Sequence, residues 1–549
     1  MARLDRLATV KAIAQLGATL GREFAYDLLQ AVSPWNEETV QQGLHQLVEA
    51  EFLYQQGMPP QATYRFKHAL IQEEAYQSLL RSTRQQHHQR IAQVLEAQFP
   101  DTAETRPELL AHHYTEAGLP AQAIPYWQQA GQRAYERSAY MEAIAHLTKG
   151  LEVLTDLPDT PERARQELTL HITLGPALMA AKGLAAPEVE RVYTRALVLC
   201  RQVGETPQLF PILIGLWRFH VVRAEYQTAH ELEEWLLRLA QSIQDPALLL
   251  EAHRPQGQTL FLLGELVQAR ERLEQALALY NPEQHRSHAF LYGHDAGVLC
   301  LSWLSLTLWV LGYPDQALTQ SHEAITLARK LAHPHSLAAA LSYAVWLHHF
   351  RQDGLAVQER VEAAIVLSNE QGFPLYSTMG MTLQGWALAM HGQGEDGIAQ
   401  LQQGLAAMRA LRIELGWPSY LALLVEAYGN VGQTEAGLTT LTEALATAHR
   451  TGERWWETEL HRLKGELLLR QVNPTEEAEA CFRQAIEIAR QQQAKSLELR
   501  AATSLSRWWQ QQGKRPEAHD LLAPIYGWFT EGFDTADLQE AKALLKTLS

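Results

Sequence analysis

Nine times between residues 184 and 525 the chain repeats, with substitutions, a small residue, a bulky apolar one four positions on, and a small one three further. With Leu184, Ala224, Gly264, Gly312, Gln352, Gly392, Gly432, Asn473 and Gly513 as anchors, the intervals are 40, 40, 48, 40, 40, 40, 41 and 40. Five after each anchor stand Val189, Ala229, Ala269, Ala317, Val357, Gly397, Gly437, Ala478 and Ala518. Twelve after stand Ala196, Leu236, Ala276, Ala324, Ala364, Gly404, Ala444, Ala485 and Ile525. At nine after, seven of the nine are large and apolar: Tyr193, Leu273, Val361, Leu401, Leu441, Phe482 and Leu522. Steps of four and three keep these positions on one helical face, so a helix with a small-large-small stripe follows each anchor. Small residues often recur seven before the anchor (Ala177, Gly257, Ser305, Gly385, Ser506), on a preceding helix. Each repeat is therefore a helix-turn-helix pair, and pairs at this period stack into an α-solenoid, more often a surface for binding than a pocket for chemistry.

Stacking also answers a problem of size, because 549 residues are too many for one core. A hydrophobic fraction of 46% and a charged fraction of 20% exclude a disordered chain. No run of about 18 uncharged apolar residues occurs, and the longest candidate, 298–311, is too short to cross a bilayer. Two arginines and an aspartate precede Leu7 without a signal-peptide core, which predicts a cytoplasmic protein. Cys200, Cys300 and Cys481 lie far apart with no CxxC pairing and are predicted to be reduced, buried and inert. A net charge of −16 disfavours nonspecific attraction to nucleic acid or anionic lipid.

Residues 1–100 do not follow the beat. Residues 7–16 read as a helix stopped at Gly17, residues 23–31 as a second ended by Ser33-Pro34, and Asn36 as the cap of a third reaching Ala50. Residues 52–54 and 63–66 are β-prone runs around Gly57-Met58-Pro59-Pro60, a hairpin signal. Three helices followed by a hairpin predict a winged helix; two more helices, near 68–80 and 83–98, precede Pro100-Asp101, which closes the domain. Residues 101–160 hold lead-in helices, where the stripe recurs after Gly118 and Ser138. The regular array takes 161–530, and 531–549 form a terminal cap whose helix begins at Asp534 and covers the last pair with Leu538, Ala541, Leu544, Leu545 and Leu548. The extra residues of the 48-residue interval, near 281–294, are predicted to form a loop on the edge between two repeats.

The stripe with its small residue twelve earlier is similar to the tetratricopeptide (TPR) consensus, lengthened to 40 residues. The longer form resembles the TPR arrays of bacterial signal-transduction ATPases with numerous domains (STAND), including maltose-activator-type regulators. RLDRLATVKAIAQLGATLGREF (3–24), FKHALIQEEAYQSLL (66–80), RWWETELHRLKGELLL (454–469) and APIYGWFTEGFDTADLQEAKALL (523–545) look like the C-terminal half of proteins that join a class III adenylate cyclase to such an ATPase. The resemblance implies an all-α chain, a TPR-like right-handed solenoid behind an N-terminal winged helix. It also implies a longer parent protein or split partner, with an ATPase/cyclase module in cis or in trans. No GxxxxGK[ST] loop is present; Gly513-Lys514 is followed by Arg515. No catalytic residue is carried over, and neither an enzyme activity nor a cofactor is expected of this chain.

Other sites are weighed residue by residue. The third helix contains Glu37, Glu38 and Glu49 and no lysine or arginine, so DNA phosphates would be repelled and nucleic acid is not an expected partner. The basic stretch Arg81, Arg84, His87, His88 and Arg90 reads as a solvated helix face. His285, His288 and His294, and separately His333, His335, His348 and His349, have neither HExxH spacing nor cysteine partners; they read as loop and surface histidines, with no metal. Trp303, Trp346, Trp386, Trp455, Trp456, Trp508 and Trp509 fall on first helices of repeats, which line the concave groove of a TPR superhelix. One member of each tryptophan pair is expected to pack inside and the other to face the groove or the next repeat. Together the seven form a candidate anchor for a protein or peptide ligand.

Overall fold

The structure, a computed structural model, describes residues 8–204, 208–471 and 476–549. It divides into two compact units, Met1–Leu174 and Gly175–Ser549.

In the first unit, α1 (Ala8–Leu20) leads into strand β1 (Glu23–Ala25), then α2 (Tyr26–Val32), α3 (Glu37–Glu49), β2 (Leu53–Gln56) and β3 (Thr63–Phe66). Gly17 does not stop α1: a Cβ there would lie 2.7 Å from the Phe24 ring, so the glycine makes room for β1 to cross the helix. The expected second helix is accordingly a strand followed by a shorter helix, and β1 joins the hairpin in an antiparallel sheet of order β1-β3-β2. Asn36 caps α3 as expected, its side chain accepting from the Thr39 N–H at 3.0 Å. Six helices complete the run to the array: α4 (Ala69–Gln77), α5 (Arg81–Gln98), α6 (Pro100–Thr105), α7 (Pro107–Glu116), α8 (Pro120–Glu136) and α9 (Tyr140–Leu154). His88 on α5 is not part of a solvated face; it is buried, its Nδ1 lying 2.8 Å from His113 Nδ1.

After α10 (Pro161–Lys182), helices alternate as first and second members of pairs, beginning with α11 (Pro187–Val203) as its partner. The next pairs are α12 (Leu209–Val222) with α13 (Tyr226–Ile243) and α14 (Pro246–Leu263) with α15 (Leu266–Leu279). A short α16 (His288–Tyr292) precedes α17 (Ala296–Leu311) with α18 (Pro314–Leu331), then α19 (Pro334–Phe350) with α20 (Gly354–Gln371), and α21 (Pro374–Met390) with α22 (Gly394–Ala410). The last are α23 (Trp417–Asn430) with α24 (Thr434–Thr451), α25 (Glu457–Leu469) with α26 (Glu476–Gln491), and α27 (Lys495–Gln511) with α28 (Arg515–Tyr526), closed by α29 (Ala536–Leu548).

The anchors are the turns. Ala224, Gly264, Gly312, Gln352, Gly392, Gly432 and Gly513 all have positive φ, the left-handed residue that ends a helix; at Leu184 the role falls to the preceding Gly183, and Asn473 lies outside the described residues. Between pairs the same conformation returns at Gln244, Ala332, Gly372, Arg412, Gly452 and Gln493. The backbone thus turns every 20 residues, half the period of the sequence. Every residue at five, nine and twelve after the anchors is buried, including the two polar exceptions at nine, Glu233 and Ser321. The large residue at nine fills the space left by a small one on the first helix: a Cβ on Gly257 would lie 2.6 Å from Leu273, and on Gly465 2.6 Å from Phe482.

First and second helices differ in burial. Only Leu266, Ala269, Leu273 and Ala276 are buried on α15, whereas all 16 residues of α17 and 12 of 14 on α12 are buried. A helix buried all round has neighbours on every side, and here the extra neighbours come from a later turn of the coil. The Val222 carbonyl ending α12 accepts from the N–H groups of Glu414 and Leu415, both at 2.9 Å, and the Leu262 carbonyl ending α14 accepts from Arg454 N–H at 2.9 Å. Trp309 O, near the end of α17, accepts from Ser496 Oγ at 2.6 Å across 187 residues, and Phe350 O at the end of α19 accepts from Arg500. Four successive first helices thus have terminal carbonyls, which a helix leaves without internal partners, bonded to groups nearly four to five repeats further along. Successive turns are joined along a seam.

At the C-terminus, Leu538, Ala541, Leu544 and Leu548 of α29 are buried with Leu522 and Ile525, as a cap requires. Asp534 does not cap it: the N-cap is Thr535, and Asp534 pairs with Arg351 at 3.1 Å. The segment 281–294 is not an edge loop either. It folds into α16 against α12, burying His285, Ala289, Tyr292 and His294.

Candidate functional site

The seam decides what the concave face can offer. Phe261, Trp303, Trp346, Phe350, Tyr420 and Trp455 meet on the axis, with ring centroids 4.9 Å apart for Phe261 and Trp455 and 5.1 Å for Trp346 and Tyr420. They fill the groove down to a cavity of about 50 Å³. Trp456 stacks on Phe350 at 4.9 Å and Trp509 packs into the terminal cluster. Six of the seven tryptophans singled out from the sequence, Trp303, Trp346, Trp386, Trp455, Trp456 and Trp509, keep 7% or less of their surface; Trp508 is half-buried. In one pair Trp455 and Trp456 are both buried; in the other Trp509 is buried and Trp508 half-buried.

Toward the last repeats the groove opens into a cavity of about 400 Å³ between α19, α21, α23, α25 and α27. Its wall is charged. Glu459, Arg462, Glu466 and Arg470 follow one another at steps of three and four on and just after α25, one face of the helix. Arg462 Nη2 donates to Glu459 at 2.6 Å and its Nη1 to Glu466 at 3.4 Å. Burial raises the Glu459 carboxyl, but Arg462 against it, with Arg500 and His349, together more than compensate and hold it below the ordinary value. Trp386 Nε1 donates to Glu426 at 2.7 Å, and the His349 ring meets Trp386 edge-on at 4.5 Å, its Nδ1 buried without a partner. Glu459, Arg462 and Glu466 are thus fixed by one another, while Arg470 is held by the Gly429 carbonyl and Glu426 by Trp386, so the cavity presents positioned charges of both signs, an arrangement suited to recognising a ligand with both signs of charge.

Of the sequence candidates, only Trp386 borders this cavity; Trp303, Trp346 and Trp455 border the small aromatic one. Glu426, Glu459, Arg462, Glu466 and Arg470 were missed. Their signal was present: α25 carries charge at the positions where α17 carries only apolar and small residues.

The histidines also depart from expectation. His285, His294, His333, His335, His348 and His349 are buried, not surface residues, and the two groups meet where the His294 and His335 rings stack at 6.3 Å. Among the described residues no set of three or more His, Cys, Asp or Glu side chains could hold a metal ion. Cys200, Cys300 and Cys481 are buried and none is joined in a disulfide, and burial pushes the Cys300 thiol up. No helix among the described residues is long and apolar enough to cross a membrane.

No protein-family model matches the chain. An uncharacterized protein of Rhizobium meliloti (strain 1021) is 27% identical over 507 residues, 92% of this chain and 49% of that protein, so the chain spans about half the length of the curated relative it matches. Among solved structures, a Rap protein complexed with competence and sporulation factor is similar with 12% identity and a TM-score of 0.45, over 67% of this chain and 98% of that one. The apo form of the quorum sensor NprR from B. thuringiensis gives 12% identity and 0.42, over 67% and 99%. A STAND protein with a tetratricopeptide repeat sensor from Pyrococcus horikoshii gives 13% identity and 0.36, over 98% and 65%.

Proposed function

We propose that this chain is the cytoplasmic recognition and regulatory arm of a STAND-type signalling system, an ATPase or ATPase/adenylate cyclase, and has no catalysis of its own. The observation that carries the reading is the charged cavity of about 400 Å³ on the concave face of the last first helices. It takes a peptide or protein segment bearing a basic and an acidic group, with Trp386 against the peptide's apolar part, Glu426 facing its cation and Arg470 its anion. The small sheet and three helices of the first unit form the winged helix that relays occupancy to the ATPase. A DNA-binding regulator is disfavoured because α3, the helix that would enter the groove, presents only acids and one histidine among its charged or titratable groups.

The test is a library of short mixed-charge peptides titrated against the full chain. Binders should weaken at least about tenfold in Glu426→Gln and in Arg470→Gln while circular dichroism is unchanged. Binders indifferent to both substitutions, or a library without binders, would sink the assignment of the cavity. A P-loop ATPase reading frame in or beside the same gene supports the switch; its absence supports a stand-alone scaffold.

A further inference from the structure

The first helices of the earlier repeats hold a second polar centre, buried in the core. Arg254 on α14 is fully buried, stacked over the Trp217 ring at 5.2 Å. Its Nε donates to Glu251 at 3.3 Å, and Glu251 also meets His288 at 3.2 Å, but Nη1 and Nη2 of Arg254 have no partner. Arg218 on α12, 5% exposed, donates to the Tyr292 carbonyl at 2.6 Å. His294 and His335 are buried with their rings stacked at 6.3 Å, His294 Nε2 and His335 Nδ1 unpartnered. Burial drives the His294 imidazole well below its ordinary pKa, and the Arg218 and Arg254 charges drive it further, so both guanidiniums act on this ring.

Burying a guanidinium with both terminal nitrogens unpaired is among the costlier arrangements a core can contain. A planar fork of N–H donors is also the group that best grips a carboxylate or phosphate. Neutral imidazoles can turn their single proton onto the unpartnered nitrogen, adding two neutral donors. We propose that Arg254, with His294 and His335, binds a small oxyanion, the phosphate or carboxylate group of a low-molecular-weight ligand, and that the 281–294 insertion is its lid. The insertion fits that role because it supplies Tyr292, whose carbonyl Arg218 holds, and His294, and places α16 over α12. Its presence at the single 48-residue interval, where every other interval is 40 or 41, then has a reason.

The probes are inorganic phosphate and acetate, titrated into the full chain against chloride at equal ionic strength. Calorimetry and hydrogen exchange are the readouts. Saturable binding with exchange protection over 250–258 and 285–296 is expected, and whichever probe binds more tightly identifies the oxyanion. Arg254→Met should abolish the response and Arg254→Lys weaken it at least about tenfold. Absence of saturable binding by either probe overturns the proposal, as does protection confined to 457–470 or a response that survives Arg254→Met. Because the wild-type exchange map is decisive alone, the test stands even if a variant fails to fold, and it is independent of peptide binding in the other cavity.

Discussion

Glu453 sits on the seam, 1% exposed, accepting from the Tyr226 hydroxyl at 2.6 Å, the Gly416 N–H at 3.1 Å and Trp455 Nε1 at 2.9 Å. Burial pushes its carboxyl from 4.5 up to about 7, against the pull of those three hydrogen bonds. The closed seam therefore holds a proton more tightly than the opened one. Its stability is highest below about pH 4.5 and falls as pH rises through about 7, the sign expected when the folded state binds more protons. With those two values the opening constant rises about 70-fold between pH 5 and pH 8, roughly 2.5 kcal/mol. The assay is amide exchange of peptides covering 411–416 and 453–456, corrected for the intrinsic pH dependence of exchange, in the wild type and in Glu453→Gln. The glutamine keeps an acceptor oxygen but cannot ionise, so its corrected opening should be flat over that range. A wild-type profile as flat as the variant's would refute the argument that an ionisable carboxyl closes the seam.

Gly215→Ala drives a Cβ to 2.2 Å from the Tyr193 ring and should cost about 1–3 kcal/mol, read as a fall in Tm and partly restored by Tyr193→Leu in the same chain. Ala332→Gly relieves a left-handed residue at φ 52° and should raise stability by about 1 kcal/mol in urea unfolding. Trp456→Ala should cost about 3–5 kcal/mol, as for a fully buried aromatic, and half-buried Trp508→Ala much less; equal losses would contradict the burial pattern.

The sequence repeat made the second helices legible because their stripe meets only nearest neighbours, and those contacts recur locally with the period. It also revealed the anchors without their cause: seven of the eight described take positive φ, but Ala224 and Gln352 do so without glycine. The half-period turns were hidden for the same reason, since Gln244, Ala332, Arg412 and Gln493 carry no compositional mark of a left-handed residue. What periodicity could not supply was the seam. Val222 to Glu414 and Leu262 to Arg454 join segments whose sequences share no pattern, so first helices expected to line an open groove became its filling. The tryptophans on them resemble binding anchors because aromatic residues look alike from sequence whether they face a partner or another turn of the same chain. The charged run on α25 was legible, but its meaning depended on knowing that the groove closes before it and opens there.

The seam also sets terms for the chain's own synthesis. All 16 residues of α17 end up buried, and its late partner Ser496 lies 187 residues downstream of Trp309. At about 5–20 residues per second, a ribosome needs roughly 10–40 s to deliver that partner. During this interval α17, among the most apolar helices of the array, has only its near neighbours to cover it. An open solenoid can complete its core repeat by repeat as it emerges; this one must keep its middle helices from aggregating until its end arrives, and then close the coil in a late, long-range step.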